Sequence, residues 1–296
     1  MNKIFFTVLT LVMFLIVSYG LSFFVESDFS DKIALIPIKG AITSTGDGIP
    51  LQPTGASSIK LLEVLKDAEE DETIKALILE IDSPGGTVLA SKEIADKIKK
   101  IEKPVVALIR GSGASGAYWI ASASDYIIAD EMSIVGSIGV TSSYLEFSGL
   151  LKEYDVTYQR LVTGEFKDIG TPYKELTDKE EELFMSKLNK IHAFFVEEVA
   201  VNRNMSVANV GKLATGEIFL GQEAIKLNLI DELGGKEEAI NVSKKLAGIS
   251  EAEIVKFADS EEFLSFLFDS KFAYQIGQGI GSVLVNSNLK QAEIRA

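Results

Sequence analysis

The architecture follows from one segment of the chain, Ile74-Lys-Ala-Leu-Ile-Leu-Glu-Ile-Asp-Ser-Pro-Gly-Gly86. Its first eight residues form a short, mostly apolar run, which is typical of a parallel strand covered on both faces. The Asp-Ser-Pro-Gly-Gly segment predicts a sharp turn, and Thr87–Ile101 then has apolar residues at helical spacing. A second buried strand is predicted at Val105–Ile109. This order of strand, turn, helix and strand predicts a parallel sheet with right-handed crossovers.

The same alternation extends in both directions and predicts one α/β domain over residues 32–258. Upstream, we expect a strand at Ile33–Ile42 and a helix that begins at Ser57 or Ser58 and continues to Ala68. Downstream, the predicted strands are Tyr126–Ala129, Ile134–Val140 and Val156–Leu161. The predicted helices are Asp178–Asn202, Val207–Leu213, Gln222–Leu227 and Lys236–Ala247. Residues 259–296 form an apolar tail interrupted by glycines, too broken to predict a second membrane span.

The N-terminal residues 1–31 are expected to form a membrane anchor and a short linker. Ile4–Val25 contains 22 residues without a charge, and a helix of that length would reach roughly 33 Å, enough for a bilayer core of about 30 Å. Lys3 precedes the run and acidic residues follow it, which places the N-terminus in the cytoplasm and the remaining chain on the extracytoplasmic side of the cell membrane. A cleaved signal peptide is the alternative, because Ser18-Tyr19-Gly20 has the small-x-small spacing of a cleavage site.

The composition excludes several classes of protein. The 296 residues are 47% hydrophobic, enough for a packed core. There is no cysteine, which excludes a disulfide scaffold and a thiol nucleophile, and the one histidine cannot form a two-histidine metal site. A formal net charge of −14 argues against a nucleic-acid partner, since phosphate binding requires clustered Lys and Arg.

Two turns of small residues follow neighbouring predicted strands, and both could hold chemistry. Gly85 and Gly86 end one strand where backbone N–H groups are free to bind an anion, as half of an oxyanion hole does. The next strand runs into Gly111-Ser-Gly-Ala-Ser-Gly-Ala117, where Ser115 lies at a strand-to-helix junction suited to an exposed hydroxyl nucleophile. The two turns should meet at the carboxyl edge of the sheet, where open α/β folds bind ligands. Each turn alone could also be purely structural.

The sequence pattern alone does not decide which residue acts as the general base for Ser115. His192 lies in the middle of a predicted helix between apolar residues, where a structural role is the usual one. The other option is a lysine held neutral by burial and aimed by a hydroxyl group. Lys167 is a candidate because it lies in a glycine-bounded, non-helical segment, Thr163-Gly-Glu-Phe-Lys-Asp-Ile-Gly-Thr-Pro172.

Several motifs together resemble the signal peptide peptidase A family, over roughly residues 32–250. They are Asp82-Ser-Pro-Gly-Gly86, Ala114-Ser-Gly-Ala-Tyr118, Val135-Gly-Ser-Ile-Gly-Val140, the segment Thr163–Pro172, Gly216-Glu-Ile-Phe-Leu-Gly-Gln-Glu-Ala224 and Leu229-Ile-Asp-Glu-Leu-Gly-Gly235. This family contains membrane-anchored Ser–Lys peptidases that degrade signal-peptide remnants. The resemblance implies a ClpP/crotonase-like fold, a repeated β-β-α superhelix with a mostly parallel sheet, preceded by one transmembrane helix.

The resemblance also implies a role for particular residues. Ser115 corresponds to the nucleophile, Lys167 to the general base and Ser137 to the serine that orients the lysine. Gly116 and the turn of Gly85 and Gly86 correspond to the oxyanion hole. Two residues depart from the family pattern: Gly113 stands where alanine is common, and Ala117 where glycine is common. Both replacements exchange one small residue for another, and they bear on how the substrate fits. We expect no cofactor and no metal in this mechanism.

The family resemblance implies partners as well: hydrophobic signal-peptide remnants as substrate, the membrane through residues 4–25, and a homo-oligomeric ring with active sites between subunits. Three alternatives share parts of this pattern. A related peptidase could act on other membrane proteins, a crotonase-like enzyme could act on acyl-CoA, and a catalytically silent scaffold could keep the fold alone.

Overall fold

The computed structural model describes Met13 and residues 31–49 and 52–257. The predicted anchor at residues 4–25 (Met13 apart) and the predicted tail at 259–296 lie outside these residues. Within 31–49 and 52–257, no helix is long and apolar enough to cross a bilayer.

The helices and strands alternate as the sequence predicts. The strands are β1 (Lys32–Lys39), β2 (Ala41–Thr43), β3 (Asp47–Ile49), β4 (Gln52–Ser57), β5 (Ile74–Ser83), β6 (Val105–Ala114), β7 (Tyr126–Ala129), β8 (Ile134–Gly136), β9 (Ile218–Leu220), β10 (Glu232–Leu233) and β11 (Glu253–Lys256). The helices are α1 (Ser58–Glu70), α2 (Val88–Ile98), α3 (Gly116–Ser122), α4 (Ser148–Glu153), α5 (Asp178–Asn202), α6 (Val207–Leu213), α7 (Gly221–Ala224) and α8 (Lys236–Ala247).

Most of these strands form one sheet in the order β10-β7-β6-β5-β1-β11, and β8 joins it by pairing with β6 and β9. All pairs in this sheet are parallel except β8 with β9. A small sheet of order β2-β4-β3 lies beside it. The predicted parallel α/β fold is therefore confirmed. Because β5 and β6 are central and parallel, the turns that follow them meet at one edge.

The core has two layers because side chains alternate across the sheet. Leu77, Leu79 and Ile81 of β5 face a large apolar cluster that includes residues of α1, α2, α3 and α5. Ala76 and Ile78 face the other side, against Ala239 and neighbouring residues of α8. Both faces of β5 are thus covered, which explains why its sequence is apolar almost without alternation.

The strand predicted at Ile33–Ile42 is divided at Gly40, whose φ is 71°, into β1 and β2. Three further differences lie closer to the site. Strand β6 continues past Ile109 to Ala114, so Ser115 is the residue that directly follows the strand. Strand β8 ends at Gly136 rather than Val140, because Gly136 and Ser137 have φ values of 90° and 51° and leave the extended region. The strand predicted at Val156–Leu161 is wrong: the segment pairs with no described strand, and Leu161 is 93% exposed.

A partly buried ion pair joins the end of α5 to the sheet. Arg203 donates to both carboxylate oxygens of Asp231 at 2.8 and 2.9 Å and to the Asn228 carbonyl at 3.1 Å. Asp231 also accepts the Ile127 N–H of β7 at 2.8 Å. The adjacent Tyr118 hydroxyl donates to the Leu229 carbonyl at 2.8 Å, and burial raises the pKa of Tyr118.

We expect Arg203→Ala to lower the free energy of unfolding by about 1.5–3 kcal/mol, because the partly buried Asp231 would lose its charged hydrogen-bond donors. Urea unfolding measures this loss. The double variant Arg203→Ala, Asp231→Asn should recover part of it, since the amide carries no charge. A decrease in the free energy of unfolding below about 1 kcal/mol in the single variant would show that the pair of Arg203 and Asp231 does not stabilise the fold.

Candidate active site

The strand register places Ser115 and Ser137 side by side. Ala114 is paired with Gly136 at the end of the β6–β8 ladder, and the Ser115 N–H donates to the Gly136 carbonyl at 2.8 Å. The next residue on each strand is a serine, and both line the same cavity. The strand pairing therefore brings Ser115 and Ser137, two of the residues proposed from the sequence, to the same cavity.

The backbone at Ser115 is unusual for an L-amino acid. Its φ is 53° and its ψ is −124°, where the chain turns from β6 into α3. A non-glycine residue in such a conformation costs on the order of 1–3 kcal/mol and is typical of functional sites. The turn presents the Ser115 side chain, which is half-buried, at the mouth of the cavity. This arrangement matches a nucleophile elbow.

The glycine turn after β5 packs directly against this elbow. Gly85 has a φ of 104°, and a Cβ on it would lie 2.8 Å from both the Gly116 nitrogen and Ser115 Cβ. A Cβ on Gly116 would lie 2.2 Å from Ser91 Oγ and 3.3 Å from the Gly86 nitrogen. Only glycine allows these segments to approach so closely, which explains the small residues at both turns.

The backbone amides of the two turns differ in their hydrogen bonds. Gly85 N–H donates to Ser83 Oγ at 3.1 Å, and Ser115 N–H is taken by Gly136. No acceptor for Gly86 N–H or Gly116 N–H is found among residues 31–49 and 52–257. Two adjacent donors are therefore open beside Ser115, which is the arrangement that binds an oxyanion.

The cavity beside Ser115 has a volume of about 320 Å³ and a partly apolar wall. Trp119 stacks on Phe195 with ring centroids 4.5 Å apart and planes at 10°. Val88 and Val140 complete the apolar side, whereas Ser91, Thr141 and Thr215 provide hydroxyl groups; these five residues line the cavity together with Trp119 and Phe195. Such a mixture suits an apolar side chain attached to a polar peptide backbone.

Sequence reasoning did not assign Ser91, Trp119 or Phe195 to the site. Trp119 could have been found, because it follows Ser115 by one helical turn and so lies on the same side of α3. Ser91 Oγ is buried and donates to the Thr87 carbonyl at 3.0 Å, a bond within the first turn of α2. Phe195 comes from the middle of α5, and no local motif marks it.

Lys167 lies away from this cavity within the single chain. Its side chain is exposed and does not line the cavity that contains Ser115. It sits in a turn closed by bonds from Lys167 N–H to the Gly164 carbonyl at 3.2 Å and from Ile169 N–H to the Phe166 carbonyl at 3.2 Å. One chain therefore presents Ser115 without the predicted base lining the same cavity.

Arg160 contacts the same turn. It donates to both carboxylate oxygens of Asp168 at 2.7 and 2.8 Å and to the Glu165 carbonyl at 3.4 Å. The hydrogen bonds from Arg160 hold the pKa of the Asp168 carboxyl below its usual range. Asp168 thus remains an anion next to Lys167 and is neutralised by Arg160.

His192 is half-buried on α5, and its Nε2 lies 2.9 Å from the Ala214 carbonyl. This contact links α5 to the end of α6. The ring does not line the cavity of Ser115. The structural role expected for His192 agrees with this position.

The segment around Lys167 exposes many large apolar side chains. Its exposed residues are Tyr144, Leu145, Phe147, Leu150, Tyr154, Val156, Tyr158, Leu161, Phe166 and Tyr173. Clusters of this kind mark surfaces that are covered by another molecule.

Comparison with known proteins places the chain in a family. The model of peptidase family S49 matches residues 97–250, and that of the Clp protease matches residues 52–131. The chain belongs to peptidase family S49. Its resemblance to the signal peptide peptidase A group, stated above from motifs, is confirmed by curated relatives.

Two of these relatives cover most of the chain. MJ0651 of Methanocaldococcus jannaschii, which is named as a protease without a stated substrate, is 36% identical over 96% of both proteins. A protein of Enterococcus faecium that carries the name of a signal peptide peptidase SppA is 33% identical over 84% of this chain and 73% of its own length. Membership of the S49 family makes the chain a serine protease.

Solved structures show the same fold at lower identity. The 1510-N membrane-bound stomatin-specific protease, in a lysine-to-alanine variant with a substrate peptide, has a TM-score of 0.51 and 16% identity. The match covers 81% of this chain and 99% of that one.

Proposed function

We propose that this chain is a membrane-anchored serine endopeptidase that hydrolyses remnant signal peptides, with Ser115 as nucleophile and Lys167 as general base. The observation that carries the proposal is the site of Ser115: a strained elbow next to two open amides, Gly86 and Gly116, in a cavity with an apolar wall. Membership of the S49 family supports the serine chemistry.

The proposed reaction uses side chains and backbone only. Neutral Lys167 accepts the Ser115 hydroxyl proton while Oγ attacks the scissile carbonyl carbon. The N–H groups of Gly86 and Gly116 stabilise the negative charge that develops on the carbonyl oxygen. The lysinium then protonates the leaving amine as the C–N bond breaks, and water hydrolyses the acyl-enzyme by the same steps. Ser137 would orient the neutral amino group of Lys167 toward Ser115.

Gly85 takes a different part from the one that the family resemblance implies. The Gly85 N–H already donates to Ser83 Oγ, so it is not open to an oxyanion. Gly85 instead allows the turn to take its shape, and Gly86 supplies the open N–H donor. Among the residues proposed from the sequence, Gly86 and Gly116 therefore form the donor pair of the oxyanion hole.

We further propose that Lys167 reaches Ser115 in a homo-oligomer, where a neighbouring copy supplies it. Two observations support this step: Lys167 lies outside the cavity of Ser115 in its own chain, and the segment that carries it exposes apolar side chains such as Leu145 and Leu161. Contact between copies would cover this surface and complete the active site.

The substrate and location in this proposal rest on two features. The cavity wall of Val88, Trp119, Val140 and Phe195 suits apolar substrate side chains. The uncharged run at residues 4–25 would hold the enzyme in the cell membrane, with the catalytic domain on the extracytoplasmic side, where signal-peptide remnants are released.

The substrate class can be tested with two peptides of equal length. We expect the detergent-solubilised full chain to cleave a synthetic signal peptide at least about tenfold faster, in kcat/KM, than a peptide whose apolar core is replaced by Ser and Gln, because each buried apolar side chain contributes roughly 1.5–3 kcal/mol. Equal rates would contradict an apolar substrate. Cleavage of intact membrane proteins but of neither peptide would favour the alternative substrate class.

Gly116→Ala tests the oxyanion hole. The new Cβ would meet Ser91 Oγ at 2.2 Å and displace the Gly116 amide, so we expect kcat to fall about 10²–10³-fold. The double variant Gly116→Ala, Ser91→Gly removes the atom that clashes and should recover part of kcat. Full activity in Gly116→Ala would contradict a role for this amide.

A further inference from the structure

The guanidinium group of Arg160 bonds to residues on both sides of Lys167. Arg160 Nε and Nη2 lie 2.7 and 2.8 Å from the carboxylate oxygens of Asp168, the residue after Lys167. The same Nη2 lies 3.4 Å from the carbonyl of Glu165, two residues before it. A bidentate pair of this kind fixes the orientation of both groups.

Backbone hydrogen bonds close the turn locally, and the Arg160 contacts add a side-chain tie across it. Gly164 and Gly170, with φ values of 89° and 76°, bound the turn, and glycine is the residue with the most conformational freedom. Arg160 is 42% exposed and Asp168 10% exposed, so this ion pair contributes little to global stability. The effect of the ion pair is therefore local to Phe166 and Lys167, the two residues between its contacts.

The ion pair of Arg160 and Asp168 also affects the charge next to Lys167. Asp168 is the residue that follows Lys167, and a nearby anion without a cation favours the protonated form of a lysine. The other carboxylates around the turn have cations of their own: Glu165 pairs with Lys179 at 3.3 Å, and Glu180 accepts two bonds from Lys174 at 2.6 and 2.8 Å. Arg160 is the cation that bonds to Asp168, whereas Lys174, which also lowers the pKa of Asp168, bonds to Glu180.

We propose that Arg160 is a positioning residue for Lys167: it fixes the turn that presents the lysine and neutralises the neighbouring Asp168, so that the lysine can act as a base. This inference rests on the proposed function, in which Lys167 is the general base. It adds a residue and a charge requirement that neither the sequence motifs nor the comparisons assign.

The test is a set of pH–activity profiles of the full chain on one signal peptide. In Arg160→Ala we expect kcat to fall at least about tenfold with KM unchanged, and the pH of half-maximal kcat to rise, because Asp168 loses the cation that bonds to it. Arg160→Lys keeps the charge but not the bidentate contact, so it should lower kcat without moving the pH profile.

A double variant separates charge from geometry. Arg160→Ala combined with Asp168→Asn removes the carboxylate as well, so the pH of half-maximal activity should return to the wild-type value while kcat stays low. Lys187→Ala is the matched control, since it removes an exposed cation of α5 that pairs with neither Asp168 nor Glu165, and it should leave both readouts unchanged. Thermal unfolding should show every variant folded.

The outcomes distinguish this inference from the proposed function. Wild-type kcat and an unmoved profile in Arg160→Ala, with Lys167→Ala inactive, would overturn the positioning role alone. Retained activity in Lys167→Ala would overturn the dyad itself. If Arg160→Ala fails to fold, Arg160→Lys decides: unchanged kcat in that variant overturns the proposal, because a lysine cannot reproduce the bidentate contact.

Discussion

Ser115→Ala should abolish peptide hydrolysis, with a loss of at least about 10³-fold in kcat, while the fold remains intact. The expected loss is this large because no other hydroxyl can take over the attack: Ser137 follows a different strand, and Ser91 Oγ is committed to the Thr87 carbonyl. Activity that remains would come only from binding and the oxyanion hole. The measurement is initial-rate hydrolysis of a signal peptide.

Two further variants sharpen this result. Ser112→Ala, three residues earlier on β6, lies outside the cavity and should keep full activity. Ser115→Gly should be inactive yet more stable than the wild type by about 1–3 kcal/mol, because glycine adopts the backbone conformation of φ 53° and ψ −124° without strain. An active Ser115→Ala would contradict the proposed nucleophile, and an unchanged stability in Ser115→Gly would contradict the strained elbow.

Lys167→Ala should lower kcat by about 10³-fold, because a general base that also protonates the leaving amine contributes to both chemical steps. The variant should fold normally, since the Lys167 side chain is exposed. His192→Ala is the matched control: it removes the one histidine and breaks only the contact to the Ala214 carbonyl. Its activity should stay within about twofold of wild type.

The opposite pattern would reverse the assignment. Full activity in Lys167→Ala together with a large loss in His192→Ala would indicate a Ser–His mechanism. A mixture of Ser115→Ala and Lys167→Ala subunits tests the supply of the lysine by a neighbouring copy. Recovered activity in the mixture is expected, whereas an inactive mixture of assembled subunits would contradict a shared site.

The sequence predicts most of the parallel sheet, because its signals are local. The apolar run of β5 and the helix of Asp178–Asn202 have the expected bounds or extend them by only two residues. The strand expected at Val156–Leu161 failed since its apolar residues are not covered by the sheet. An alternation of apolar side chains cannot distinguish a buried strand from an exposed surface that another molecule could cover.

The site is predictable to a similar degree and for the same reason. Ser115 and the two glycine turns are marked by small residues next to apolar strands, whereas Phe195 reaches the cavity only through the packing of α5. The contact of Arg160 with Asp168 depends on how an irregular segment folds back eight residues later. No periodicity encodes such a contact.

Labelling by a fluorophosphonate probe, followed by peptide-level mass spectrometry, tests the dyad most directly. The serine oxygen attacks phosphorus and fluoride leaves, so the adduct marks the activated hydroxyl. The account predicts an adduct on the peptide that contains Ser115 in the wild type and in His192→Ala, and its loss in Lys167→Ala. An adduct on another residue, or labelling of Ser115 that is equally fast without Lys167, would contradict it.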